Sequence, residues 1–412
     1  MRLLPRVSRI AFFVAVLALG AGAAEAQTPP QTASGPWRLG QTLSLPEGVR
    51  IAGSIRGRYE ALGNPFVAGR TEDDEFLGLQ SVLDVEVDAG STGLTVGGEL
   101  LDSRFIAGNE TGGASTEIDT LEPSQLYLAW RPHDFLMTGA KLDLTLGRFT
   151  MDIGSRRLVA RANYRSILSS FDGVRAVWTS PDKLAVTLAY TTPVAREPAD
   201  AASAIDNEVA LNKALDYTRF AVAQVDSPLP FGLHGDLYVM DLDEDDSSDV
   251  ATRNRQLTTY GIHLRKPAAP DQFDFEIELA HQTGSVRATT SAADITPLDH
   301  NAQMAHLETG YSFSAPWSPR IALQYDFASG DKSPSDADSE RFDTLFGDRA
   351  FEFGPTSIYG LVLRSNLSSP AIRIEVKPDN ISDAYVSLRH VRIDAARDSF
   401  ANTAVRDVPG AS

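Results

Sequence analysis

The stretch GSRRLVARANYRSILSSFDGVRAVW, residues 154 to 178, sets five arginines (Arg156, Arg157, Arg161, Arg165 and Arg175) against a single aspartate, Asp172. With Arg148 just upstream, residues 147–176 hold six arginines against Asp152 and Asp172, in a chain of 412 residues whose net charge is -18. A guanidinium is permanently charged and its planar fork meets a carboxylate two-pronged, so arginines at this density suit the capture of a passing anion. The segment is too irregular to be all strand. Folded into a pore, it would form a constriction that offers several guanidinium groups in turn. The same arginines suit a plainer task as well, pairing with wall carboxylates such as Glu60, Asp84, Glu86 and Glu99. The two roles can coexist.

Other candidate chemistry is thin. Asp241, Asp243 and Asp245 in DLDEDDSSD stand at calcium-loop spacing, but the sixth position holds Asp246 where an EF-hand needs glycine. That segment reads as a solvated outer loop, open to bridging by divalent ions to lipopolysaccharide. The seven histidines are scattered without a zinc pattern, and His281 and His306 read as ordinary strand residues. No Gly-x-Ser-x-Gly elbow and no phosphate loop occurs. No catalytic residue, metal ligand or cofactor is therefore assigned, and an enzyme acting on lipids or glycans has no residues to carry it. The absence of cysteine removes disulfides, a lipid-anchored cysteine and thiolate metal sites. The acidic balance argues against nucleic acid as a partner.

What positions the arginines is export and then strands. Arg2 and Arg6 precede an apolar run from Ile10 to Leu19, and Ala24-Glu25-Ala26 is a small-x-small cleavage site, so residues 1–26 read as a signal peptide too short to span a bilayer. Residues 27–46 read as a periplasmic lead-in. No later apolar run approaches the ~20 residues of a transmembrane helix. Instead, segments of about ten residues alternate with period two. In VRIAGSIRGRYE, Val49, Ile51, Ile55 and Tyr59 share one face, while Arg50, Ser54, Arg56, Arg58 and Glu60 share the other. FDFEIELAHQ, RIALQYDFASGD, TTYGIHLRK and AHLETGYSF repeat the pattern.

A soluble β-sandwich also alternates, but it buries its apolar face and wets its charged one. Three features favour a membrane barrel: the number of long strands, the signal peptide, and short turns alternating with long polar loops. Asp88-Ala89-Gly90-Ser91 and Ser180-Pro181-Asp182 are short; 63–74, 107–122, 192–216, 241–253 and 331–349 are long. The expected fold is all-β, a transmembrane antiparallel β-barrel over residues 47–412 with about sixteen strands, a size that leaves an aqueous channel.

LGRFTMDIGSRRLVARANYRSILSSFDGVRA resembles the Gly-Arg-Gln … Gly-Ser-x-Arg-Leu-Val … Trp-Arg-Asn … Phe-Asp-Gly-Val-Arg segment of the alginate-export family of outer-membrane proteins. GELLDSR, ELAHQTGS, LQYDFASGDKSPSD and RFDTLFGDRAFEFG add matches in the family's order across most of the chain. The family's basic and motif positions fall on Arg148, Gly154, Arg156 or Arg157, Arg165, Phe171, Asp172, Gly173 and Arg175. Tyr164 stands where tryptophan is usual and Phe149 where glutamine is usual; Arg104 and Asp331 close two other motifs.

The resemblance implies an eighteen-stranded barrel with an arginine-lined conduit for an anionic polysaccharide, in the bacterial outer membrane. About two of those strands would lie beyond Ser412, since RDVPGAS lacks the aromatic last strand residue of such barrels, and the sequence is read as truncated there. The expected pathway residues are Arg56, Arg58, Arg104, Arg148, Arg156, Arg157, Arg161, Arg165, Asp172 and Arg175. The expected partners are an anionic polysaccharide or oligosaccharide, outer-membrane lipid and lipopolysaccharide, and periplasmic polysaccharide-secretion proteins, with the chain acting as a monomer. The competing use is a porin for uptake of small anionic solutes or oligosaccharides.

Overall fold

The computed structural model of the chain describes residues 45–63, 73–109, 117–348, 350–353 and 362–399. The expected signal peptide, nearly all of the lead-in, parts of the loops at 63–74 and 107–122, and everything past residue 399 lie outside the described residues.

Period-two alternation folds as expected, into strands joined in one sheet. In chain order they are β1 Val49–Leu62, β2 Asp74–Asp88, β3 Leu94–Gly108, β4 Asp119–Trp130, β5 Lys141–Thr150 and β6 Ser170–Thr179. Next come β7 Ala185–Ala195, β8 Lys213–Ala214, β9 Thr218–Leu229, β10 Leu233–Glu244, β11 Gln256–Lys266 and β12 Gln272–Arg287. The last are β13 Pro297–Ser312, β14 Arg320–Ala328, β15 Asp338–Ser339, β16 Leu367–Val376 and β17 Ala384–Arg389. The long strands pair antiparallel with their chain neighbours throughout. The two-residue β8 and β15 are side pairings onto β7 and β13. Among the described residues, β1 and β17 each pair on one side only.

The sheet wears its polarity inside out. Ile55 is 79% exposed, Leu126 63%, Leu237 58% and Phe273 69%, while Glu99, Asp236, Glu278 and Gln282 on the opposite face are buried. Such a face is stable only against lipid, because in water burial of the carboxylates and exposure of the leucines would both cost free energy. No helix among the described residues is long and apolar enough to cross a membrane; the two helices, α1 Ala201–Ile205 and α2 Ala350–Phe353, sit in loops. Since strands alternate in direction, all the long connections (151–169, 196–217 and 329–366 foremost) leave from one end, and short turns such as 180–184 and 230–232 close the other.

Candidate functional site

Segment 151–169, between β5 and β6, turns back across the polar face of the sheet. Its apolar side chains Met151, Ile153, Leu158 and Val159 are buried with Phe149, Phe171 and Phe220. Phe346 wedges between them, its ring centroid 5.4 Å from Phe171 and 4.9 Å from Phe220. The polar half of the segment reaches the first strands. From β1, Arg56 donates to the carbonyls of Asn163 (3.1 Å) and Arg165 (2.6 Å), and Arg58 to that of Tyr164 (2.7 Å). From β2, Gln80 donates to Ser166 O at 2.8 Å. One short segment thus touches β1 and β2 while Arg157 reaches Glu276 and Glu278 on β12, which requires the sheet to curve around it.

The described residues of a second connection, between β14 and β16, dock onto the first. Ala160 N–H donates to Phe346 O (3.0 Å), Phe346 N–H to Leu158 O (2.9 Å) and Asp348 N–H to Arg156 O (3.0 Å). At Gly347 a Cβ would run into the Arg157 carbonyl, so only glycine permits this approach. Arg364 donates to Asp348 O at 2.8 Å and pairs with Glu352. Arg157 pairs with Glu276 (2.6 Å), Glu278 (2.8 Å) and Glu352. Burial alone would raise the Glu352 carboxyl, but Arg157 and Arg364 beside it outweigh burial and hold it well below the usual carboxylate range.

The expected site residues divide into groups. Arg56 and Arg58 clamp backbone carbonyls of the segment, and Arg58 also pairs with Glu117 at 2.7 Å and stacks on Tyr164. Arg161 pairs with Glu99 at 2.6 Å, as the wall-carboxylate reading expects. Arg148 pairs with Glu122 (2.6 Å) and Asp172 (2.7 Å), tying β4, β5 and β6 together. Arg175 lies over the Phe149 ring, 4.0 Å from Asp143. Arg156 is exposed, in a left-handed conformation with φ 71°. Arg165 lines a 340 Å³ cavity between the two inward segments with Ile167, Leu345 and Arg364.

Two positions differ from expectation. Arg157 is 3% exposed and saturated by carboxylates, so it fastens the segment and meets no passing ligand. Arg104 is paired across the sheet with Leu79 and shares its outward, lipid-side face, bonded to Asp102 at 2.9 Å. The motif match placed it in the pathway; strand parity removes it.

Sequence reasoning missed the partners of His263 on β11 and His306 on β13. His263 bridges Asp236 (2.9 Å) and Glu276 (3.1 Å), and His306 meets Asp326 (2.6 Å) with Glu352 3.6 Å away. Their polar-face parity in TTYGIHLRK and AHLETGYSF was the available signal. His306, Asp326 and Glu352 lie close enough to hold a metal ion, yet Arg389, Arg157 and Arg364 already neutralise the two carboxylates.

The family model described as alginate export matches residues 48–412. No curated protein matches the chain in sequence. Among solved structures, the chain is similar to OccAB1 of Acinetobacter baumannii, at 12% identity over 86% of this chain and 82% of that one, with a TM-score of 0.49. It is similar to OccK8 (OprE) of Pseudomonas aeruginosa at 11% identity, 84% and 88% coverage and a TM-score of 0.48. A BenF-like porin from Pseudomonas fluorescens Pf-5 follows at 12% identity, 82% and 86% coverage and a TM-score of 0.46.

Proposed function

Because the chain belongs to the alginate-export family, and is an antiparallel β-barrel channel of the bacterial outer membrane, we propose that it passes an anionic polysaccharide, alginate-like, through an arginine-lined lumen. The observation that supports this reading is segment 151–169 itself, which carries Arg156, Arg161 and Arg165 and runs between wall contacts on β1 and on β12. Arg56, Arg58, Arg148 and Arg175 add positive charge around it, and Asp172 and Glu99 offset part of that charge.

A polyanion entering this space exchanges hydration for charge-assisted hydrogen bonds to guanidinium groups. Binding at each station has to stay weak, or transport stalls. The paired carboxylates serve that need, since each must yield its arginine before a uronate can take it. Passage is passive, and its direction follows whatever gradient or periplasmic synthesis and secretion machinery supplies the polymer.

Planar-bilayer conductance tests the reading. The wild-type channel is expected to select anions, and neutralising Arg156, Arg161 and Arg165 together should abolish that selectivity. A cation-selective wild-type channel, in line with the net charge of -18, would sink the proposal. Polyuronate should block small-ion current more than neutral dextran of similar size. Block by short uronates but not by long ones would favour uptake of small anionic solutes instead.

A further inference from the structure

We infer that the cavity between residues 253–257 and 339–345, at the long-loop end of the barrel, is a subsite for the carboxylate of a single anionic sugar. It has a volume of 290 Å³ and is lined by Arg253, Arg255, His300, Ser339, Arg341 and Ser365, with Asp343 as its acidic group. That volume is at the lower end of ligand pockets, which run from about 300 Å³ upward, so the space suits one sugar ring and not a length of polymer.

Two buried polar atoms on these residues have no hydrogen-bond partner among the described residues, His300 Nε2 and Arg341 Nη2. His300 is 5% exposed, and its other ring nitrogen is 3.4 Å from Ser339 Oγ. Arg341 spends Nη1 on Asp398 (2.7 Å) and on Ser399. Buried polar groups left unpaired in a folded protein call for a water or a ligand.

Charge points to the sign of that ligand. Arg255 is neutralised by Glu244 (2.7 Å) and Asp343 (3.0 Å), but Arg253 makes no ion pair among the described residues and donates only Nε, to Arg287 O at 2.9 Å. Asp343 spends its oxygens on Arg255 and on the Leu345 N–H at 2.8 Å, so neither is bonded to Arg253. Burial, helped by Arg255 and Arg341 and opposed by Asp343 and Glu244, pushes the Arg253 guanidinium below its ordinary value. A carboxylate set beside Arg253 gives that guanidinium a counter-ion and accepts a hydrogen bond from Arg341 Nη2, whose Nη1 is already paired with Asp398, and the serine hydroxyls around it fit sugar oxygens.

The inference rests on the anionic-saccharide reading of the channel and is tested apart from it. The full chain, in detergent micelles, is titrated calorimetrically with glucuronate, acetate and glucose. Glucuronate is expected to bind one to one, acetate more weakly and glucose not at all. Arg253→Gln and Arg341→Gln should each weaken glucuronate about tenfold, the loss of one charge-assisted pair, and Arg253→Lys less. Variants that do not reach the heat-modifiable folded band are replaced by Arg253→Lys for the comparison. Acetate binding as tightly as glucuronate overturns the sugar assignment. Glucuronate binding no tighter than glucose, or unchanged in both glutamine variants, overturns the site. Anion selectivity of the wild-type channel without glucuronate binding leaves the passage reading standing and removes the pocket; glucuronate binding without anion selectivity does the reverse.

Discussion

Arg157 brings one positive charge to three carboxylates, Glu276, Glu278 and Glu352, at a site almost shut off from solvent. Its removal would leave those carboxylates facing one another, and breaking a buried pair by deleting one partner costs about 3–5 kcal/mol. Arg157→Met is therefore expected to lower the urea midpoint of the protein in micelles substantially, with partial recovery when Glu352→Gln is added. A midpoint equal to the wild type would mean that the cluster does not hold the segment. RRLVAR announced charge in the interior but not which arginine of the adjacent pair would be buried, because an irregular segment has no parity to read. Arg104 is the opposite case. Glu99 faces inward, so Arg104, five residues further along the same strand, had to face outward. The family motif hid a fact that simple alternation contained.

At the scale of elements, segment 151–169 and residues 346–348 interlock, and their joint is Gly347 against the Arg157 carbonyl. Gly347→Ala forces the two apart while leaving every charge in place. Its expected signature is faster proteolysis within 329–366 and noisier single-channel current, with anion selectivity retained; a quiet, protease-resistant variant would show that the contact is dispensable. Acid should open the same joint. The Glu352 carboxyl is held well below its ordinary value in the folded protein, so its contribution is fully present above the unfolded value of about 4.3 and is lost as pH falls below it toward the folded value. Proteolysis of 329–366 by an acid-active protease is expected to be flat down to about pH 5 and to rise below about pH 4. Glu352→Gln should remove that rise. None of this docking was legible in the sequence, because period two describes strands, and contacts such as Arg157 to Glu352 link connections far apart in the chain. The aromatic residues that pin the segments, Phe346 among them, carry no period to distinguish them from lipid-facing ones.

For the molecule as a whole, the decisive property is which face of the sheet meets which solvent. Alternation alone gave the strands but could not choose between a soluble sandwich and a barrel, since both place apolar and charged residues on opposite faces. The register chooses. Val225, Leu237, Ile262 and Leu279 are cross-strand neighbours on β9 to β12, and all four are exposed. Asp236 beside His263 and Thr259 beside Gln282 lie on the other face, buried. A row of exposed aliphatic side chains across four strands is tolerable only in hydrocarbon. Leu237→Arg sits within that row and separates the two solvents by the size of its effect. On the surface of a soluble protein such a change stays within about 0.5 kcal/mol; near the middle of a bilayer it costs about 2–4 kcal/mol. Reversible folding into phosphatidylcholine vesicles, followed by the heat-modifiable band, measures the difference. A penalty in the higher range is expected, along with reduced insertion, whereas Leu237→Ile should fold like the wild type. A penalty near zero would mean that this face meets water, and the inward carboxylate networks would then be the core of a different protein.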